Sequence, residues 1–418
     1  MTQFTRSDLI IFIGFFLCLT PSLLTAQFDL KEPIKVGQLG LSTDRLEEMN
    51  EYFHSLVDQQ QLAGVQIGII KSGHLAFYDT YGFADIENKR RLNDHSLFRI
   101  FSMTKPIVSV ALMQLFEQGK FQLDDKVEMY LPELKNRKVY FGGDLTPAQN
   151  PLTIRDLLRH SSGYSYGNTE DQNFNNYYRE ANLYAAKDNE DFVRRLSSIP
   201  LLFEPGTDWN YGISTTVCGR LVEVFSGQSL ANYLEQHIFQ PLEMNHTYFQ
   251  IPEDEVDNFT VGYRWNGEEL FISESATENR YRRPVTFFNG GGGLVSNMKD
   301  YLNFCQMLLN KGKTPEGRIL QEETIQLMFS DQLVEVRSHQ DEALSLPPGE
   351  GSFGLGFAIK GEPEQLQKKY GWGGAVGTYF KVDLDNDMAY VMMIQISPYR
   401  HLGLRQRLQD YINDAIIH

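Results

Sequence analysis

Ser102-Met103-Thr104-Lys105 stands at the head of an apolar, helix-like run that begins with Pro106. A serine and a lysine three residues apart share one face of a helix and lie within reach of each other. The helix start adds unbonded N–H groups and a partial positive charge beside the serine. A serine hydroxyl attacks a carbonyl only when a base takes its proton. A lysine in a dry site loses its own charge and serves as that base, because burial lowers an ammonium pKa. Taken alone, the same residues also describe a plain N-cap with a solvated lysine.

Trp209-Asn210-Tyr211-Gly212-Ile213-Ser214 follows the turn Glu204-Pro205-Gly206-Thr207 and precedes a second helix. A phenol relays protons once a cation lowers its pKa from about 10. The other reading of Tyr211 is a packed ring whose hydroxyl caps the next helix. Tyr370-Gly371-Trp372-Gly373-Gly374-Ala375-Val376-Gly377 leads into a strand. Glycines at a strand edge admit a ligand close to the backbone. The amides of Ala375 and Ser102 then form a candidate oxyanion hole, in which one donor is worth about 3–4 kcal/mol. The other reading is a glycine-rich turn.

In this order the three stretches resemble those of the penicillin-recognising serine hydrolases, and the chain is similar to their class C β-lactamase branch. The similarity runs from about Leu41 to the C-terminus. It also covers residues 157–163, Pro205-Gly206, and residues 238–244, 290–296 and 354–357. The resemblance implies an α+β, β-lactamase/transpeptidase-like fold: an antiparallel sheet flanked by terminal helices, with an inserted, mainly helical lobe. It makes Ser102 the acyl-accepting nucleophile, Lys105 its proton partner and Tyr211 the second general acid/base. Trp372-Gly373-Gly374-Ala375 becomes the edge strand with the oxyanion amide.

Two positions depart from the family. Ile213 stands where an asparagine usually holds the substrate amide or the lysine. Trp372-Gly373-Gly374 replaces a Lys/His-Thr/Ser-Gly strand that helps hold a substrate carboxylate. Trp-Gly offers neither charge nor hydroxyl, so recognition of β-lactams and D-Ala-D-Ala ends should be weak unless an arginine elsewhere substitutes. Trp-Gly-Gly does resemble the version in related bacterial esterases, and an aromatic wall suits an uncharged acyl or alcohol group. With one cation rather than two beside Tyr211, Lys105 should do more of the initial deprotonation and Tyr211 more of the protonation of the leaving group.

The elements that must position these residues follow from periodicity. Ser42 to Gln60 reads as an amphipathic helix and Val65 to Tyr81 as a β-hairpin turning at 71–74. Pro106 to Gln118 is helical, with Gly119 as its stop. From about 120 to 290 the pattern is helical and loopy, with helices at 154–158, 215–225 and 230–239 and an aromatic-rich loop at 164–184. That loop reads either as a cover on the cleft or as a surface excursion. A second hairpin (377–383 and 388–397) and a helix (404–417) close the chain. Two terminal hairpins can complete one antiparallel sheet. This gives 35–120 and 289–418 as the two parts of an α/β domain and 121–288 as the helical lobe.

Arg6, the apolar run Leu9 to Leu19 and the small residues Thr25-Ala26 give 1–26 the order of a signal peptide, which places the mature protein in the periplasm or outside the cell. Pro21 interrupts the run, so no stable membrane span is expected in the mature chain. Of 418 residues, 38 are Lys or Arg and 54 Asp or Glu, a net charge of −16 that argues against nucleic acid as a partner. The basic runs at 88–91 and 280–283 read as solvated faces. Cys218 and Cys305 read as buried apolar residues. The nine histidines form no ligand cluster, so neither metal nor cofactor is expected, and His160 reads as a loop brace. The reading that follows is an exported serine hydrolase acting on a small ester or amide through an acyl-enzyme. Carboxylesterase comes first and β-lactamase or D-amino-acid peptidase second. A non-catalytic binding module is the alternative outside this chemistry.

Overall fold

A computed structural model describes residues 36–340 and 343–417; the expected signal segment, 1–26, lies outside the described residues. Eight strands form the main sheet. In chain order they are β1 (Gly64–Lys71), β2 (His74–Asp85), β3 (Arg90–Arg91), β4 (Glu350–Phe353), β5 (Ala358–Glu362), β6 (Gln365–Gly373), β7 (Tyr379–Asp383) and β8 (Met388–Met393). They lie side by side as β4-β5-β6-β7-β8-β1-β2-β3, every neighbour antiparallel. The seam between the two ends of the chain is β8 on β1, with Gly68 opposite Val391.

Both faces of this sheet are covered, which is why β8 is apolar at every position. Met388, Tyr390 and Met392 join one core, and Ala389, Val391 and Met393 join the other. Helices α1 (Thr43–Asp58) and α5 (Leu404–Ala415) cover the first face. The Ser42 hydroxyl caps α1 by accepting from the Arg45 amide, and Leu46, Met49, Phe53 and Leu56 recur at helical spacing on its buried side.

Three further helices build the second side: α2 (Thr104–Glu117), α3 (Ser214–Ser226) and α4 (Met298–Leu309). Numbering follows their order along the chain, α1 to α5. Helix α4 lies on the sheet so closely that a Cβ on Gly68 would stand 2.8 Å from Met298 Sδ. Helix α2 is buried on all sides from Thr104 through Met113. One continuous core runs from the sheet through α4 and α2 to α3, so the Ser102–Lys105 stretch at the head of α2 sits where sheet and helices meet.

Three expectations need correction. Strands β4, β5 and most of β6 were not legible, because the outer part of β6 is polar and exposed (Gln365, Gln367, Lys368) and only its end, Tyr370 to Trp372, is buried. The middle region carries two hairpins, Lys138–Phe141 with Asp144–Pro147 and Gly262–Trp265 with Leu270–Glu274. The loop at 164–184 contains the helix Gln172–Ala181, capped by the Asp171 side chain. Its asparagines and tyrosines are poor helix formers, and burial of Phe174 and Tyr178 stabilises it instead. The two cysteines are buried and unpaired. Among the described residues no helix is long and apolar enough to cross a membrane.

Candidate active site

The turn that carries Ser102 is clamped before α2 begins. Phe98-Arg99 pairs with Val295-Ser296, and the Ile100 amide bonds the Leu294 carbonyl. Tyr301 on α4 donates its hydroxyl proton to the Met103 carbonyl at 2.9 Å, and the Thr104 hydroxyl accepts from the Leu294 amide. Between these ties, Phe101 is held at φ +42, a region unfavourable for a bulky side chain. Strain of this kind persists only where the surroundings over-determine it. It sets Ser102 in a single 3-10 turn, half-buried at the start of α2.

Lys105 is 1% exposed and has no carboxylate partner among the described residues. Its Nζ lies 3.3 Å from Ser102 Oγ, 2.8 Å from the Tyr166 hydroxyl and 2.7 Å from the Gly291 carbonyl. Burial pushes its pKa down, and nearby Tyr211 only partly offsets this. Three acceptors match the three donors of an ammonium. When Nζ gives up a proton, the Gly291 carbonyl and the Tyr166 oxygen can keep two N–H donors and the lone pair faces Ser102.

Tyr211 is half-buried, with its ring centroid 4.7 Å from Lys105 Nζ. Burial alone would raise its pKa. The Lys105 charge, with hydrogen bonding from Lys105, Ser102 and Trp372, brings it below the ordinary value instead. The Trp372 indole N–H donates to the Tyr211 oxygen at 3.1 Å. The segment carrying Tyr211 is pinned to residues 160–165: the Asn210 amide bonds the His160 carbonyl, and the Asn210 side chain bonds the Tyr164 carbonyl. A Cβ on Gly212 would stand 2.5 Å from that same carbonyl, so only glycine passes here. His160 is buried against the Tyr211 ring, centroids 5.1 Å apart, and burial, then Lys105, hold its pKa well below the usual imidazole value. It is a neutral packing partner of Tyr211.

The glycine stretch closes the site. Trp372 and Gly373 end β6 rather than lead into the next strand, and β6 is internal to the sheet. The edge expectation holds locally, because β5 pairs only as far as Gly371. Gly374 starts the turn to β7; a Cβ there would lie 2.6 Å from the Ile100 carbonyl, so the turn rests on the backbone beside Ser102. Ala375 is exposed in this turn. Arg405 of α5 braces it from behind, donating to the Gly374 and Thr378 carbonyls at 2.6 and 3.1 Å.

Ser102, Lys105, Tyr211 and Trp372 thus meet at one place, with Gly373, Gly374 and Ala375 alongside. Ile213 does not reach it as a polar partner: it is buried in the core at the start of α3. Two other residues meet Lys105 instead, Tyr166 and Gly291. Tyr166 lies in the aromatic-rich loop and Gly291 in the glycine run of the stretch 290–296, and the sequence assigns a role to neither. Spacing alone gave no signal for either. The glycines at 290–293 are required by close packing: a Cβ on Gly291 would stand 2.6 Å from Thr216 Oγ1.

A family model described as Beta-lactamase matches residues 49–411. The chain belongs to the beta-lactamase family. Among curated relatives, protein Rv1367c of Mycobacterium tuberculosis is 28% identical over 355 residues, covering 82% of this chain and 88% of that one. Esterase EstB of Burkholderia gladioli is 30% identical over 290 residues, covering 64% of this chain and 71% of its own. Of solved structures, EstCE1, described as a hydrolase with promiscuous acyltransferase activity, superposes with a TM-score of 0.74 at 24% identity, covering 90% of this chain and 98% of its own. The β-lactamase/transpeptidase-like fold is thereby shown, and as a member of this family the chain is a serine hydrolase.

Proposed function

We propose that this serine hydrolase is a carboxylesterase that works through an acyl-enzyme on Ser102. Lys105 takes the Ser102 proton as the hydroxyl oxygen attacks the ester carbonyl. The amides of Ser102 and Ala375 hold the oxyanion. Tyr211 protonates the departing alkoxide as the tetrahedral intermediate collapses. Water then attacks the acyl carbonyl while the Tyr211 phenolate takes one of its protons, and Lys105 returns its proton to Ser102 Oγ as the C–O bond to the serine breaks and the acid leaves.

One observation carries the choice of ester over β-lactam or peptide. The single donor of Trp372 is spent on Tyr211, so the end of β6 presents an aromatic wall without charge or hydroxyl. Trp372, Tyr211 and Tyr166 pack ring against ring beside Lys105, centroids 5.0 and 5.5 Å apart, an aromatic surface that suits an uncharged acyl group. The order of residues 1–26 further supports export to the periplasm or beyond.

The test is hydrolysis of p-nitrophenyl butyrate and of a chromogenic cephalosporin by the wild type and by Ser102→Ala. We expect ester turnover that vanishes in the variant. Because the end of β6 offers neither the charge nor the hydroxyl that positions a β-lactam, the cephalosporin should be handled at least about 100-fold less efficiently. Preference for the cephalosporin would overturn the reading, as would ester turnover that survives in Ser102→Ala.

A further inference from the structure

We propose that Arg280 is a substrate-binding residue that holds a carboxylate on the acyl or leaving group of the ester. The inference rests on the esterase reading and names the substrate class.

The run Arg280-Tyr281-Arg282-Arg283 reads in sequence as a solvated face, but the structure sorts its members. Tyr281 is 1% exposed and anchors the turn, its amide bonded to the Asn279 side chain and its ring packed on Phe259. Arg282 turns to the Thr277 carbonyl and to Glu253. Arg280 instead reaches the nucleophile turn: its guanidinium carbon lies 5.9 Å from the ring centroid of Phe101, the residue before Ser102.

Arg280 is held in place but not neutralised. It rests over the Tyr281 ring at 4.8 Å and donates one hydrogen bond, to the Tyr281 hydroxyl at 2.8 Å. Among the described residues it makes no ion pair. Glu274, the acid near enough to feel it, is bound to the buried Arg99 at 2.9 Å. An exposed guanidinium with most of its fork unspent suits a carboxylate, which it grips with two parallel bonds. In a chain of net charge −16, an unpaired cation beside the nucleophile gives an anionic substrate a place to dock. Arg405 serves as a brace instead: its guanidinium lies behind Gly373, and its Nη2 donates to the Gly374 and Thr378 carbonyls.

The test compares matched ester pairs. On the acyl side, p-nitrophenyl hemiglutarate is set against p-nitrophenyl valerate. On the leaving side, 3-acetoxybenzoate is set against phenyl acetate. Arg280→Gln should lower the anionic-to-neutral ratio of kcat/KM about tenfold in at least one pair, the size of one charged hydrogen bond. Arg280→Lys should recover part of it, and Arg282→Gln should leave the ratio as in the wild type. Added salt should lower the ratio in the wild type and not in Arg280→Gln. A second readout does not need turnover: 3-carboxyphenylboronic acid should raise the melting temperature more than phenylboronic acid does, and Arg280→Gln should remove the difference. Ester turnover with unchanged ratios in both pairs would overturn the inference and leave the esterase reading standing. No ester turnover, with boronate discrimination lost in Arg280→Gln, would remove the esterase reading and support the arginine's role.

Discussion

Trp372→Phe tests which group is the base. The substitution keeps an aromatic ring on the wall beside Tyr211 and Phe353 (ring centroids now at 5.0 and 5.3 Å) and deletes the N–H that reaches the Tyr211 oxygen at 3.1 Å. That donor stabilises the phenolate over the phenol. A hydrogen bond to a charged group contributes about 1.5–3 kcal/mol, and 3.1 Å is long for one, so the lower end applies. At about 1.4 kcal/mol per tenfold change, the Tyr211 hydroxyl should hold its proton about one pH unit longer in the variant. Lys105 and Tyr211 titrate as a pair, so the consequence depends on which proton leaves first. If neutral Lys105 is the base and protonated Tyr211 the acid, the acid limb of kcat/KM follows Lys105 and stays put. The alkaline limb follows Tyr211 and moves up by about one unit. If the Tyr211 phenolate is the base, the acid limb moves up instead. The assay is p-nitrophenyl ester hydrolysis from pH 5 to 11, with circular dichroism to confirm folding. A shift of the acid limb, or no shift on either limb, would refute the reasoning.

Lys105→Ala should reduce ester kcat/KM by about 10³–10⁴ and Tyr211→Phe by about 10², since the first removes the base and the second a proton donor that water partly replaces; equal losses would contradict this division. Tyr166→Phe removes an oxygen that accepts from Lys105 at 2.8 Å. That bond favours the ammonium, so its loss should lower the Lys105 pKa and carry the acid limb to lower pH, which a pH profile detects directly. Gly374→Ala forces a Cβ to within 2.1 Å of Thr378 Oγ1 and 2.6 Å of the Ile100 carbonyl. The turn must move and take the Ala375 amide with it, so kcat should fall about 10²–10³ with a smaller change in KM, as steady-state kinetics would show.

Much of this was legible because the relevant physics is local. Ser102 and Lys105 come together through helical spacing, and the unbroken apolar run of β8 marks a strand. Ser42 and Gly119 punctuate their helices in sequence as they do in space. What stayed hidden is tertiary. Tyr166 meets Lys105 from 61 positions away and Gly291 from 186, and neither spacing nor residue type announces such a meeting. The absence of an asparagine at Ile213 was visible; the hydroxyl and the carbonyl that meet Lys105 from two other segments were not. Trp372 was read as a passive wall because its ring dominates its composition-level signature, yet its one polar atom reaches Tyr211. Polar β6 was missed for a similar reason: its outer half faces solvent and only packing of Tyr370 and Trp372 fixes it as a strand.

The central claim is that Ser102 becomes covalently acylated. The most direct measurement is to quench the reaction with a slowly released p-nitrophenyl ester in acid and locate the adduct by peptide mass spectrometry. The account predicts the mass of one acyl group on the peptide that carries Ser102, absent from Ser102→Ala and from Lys105→Ala. Turnover with no adduct on that peptide, or an adduct that persists in Ser102→Ala, would contradict it.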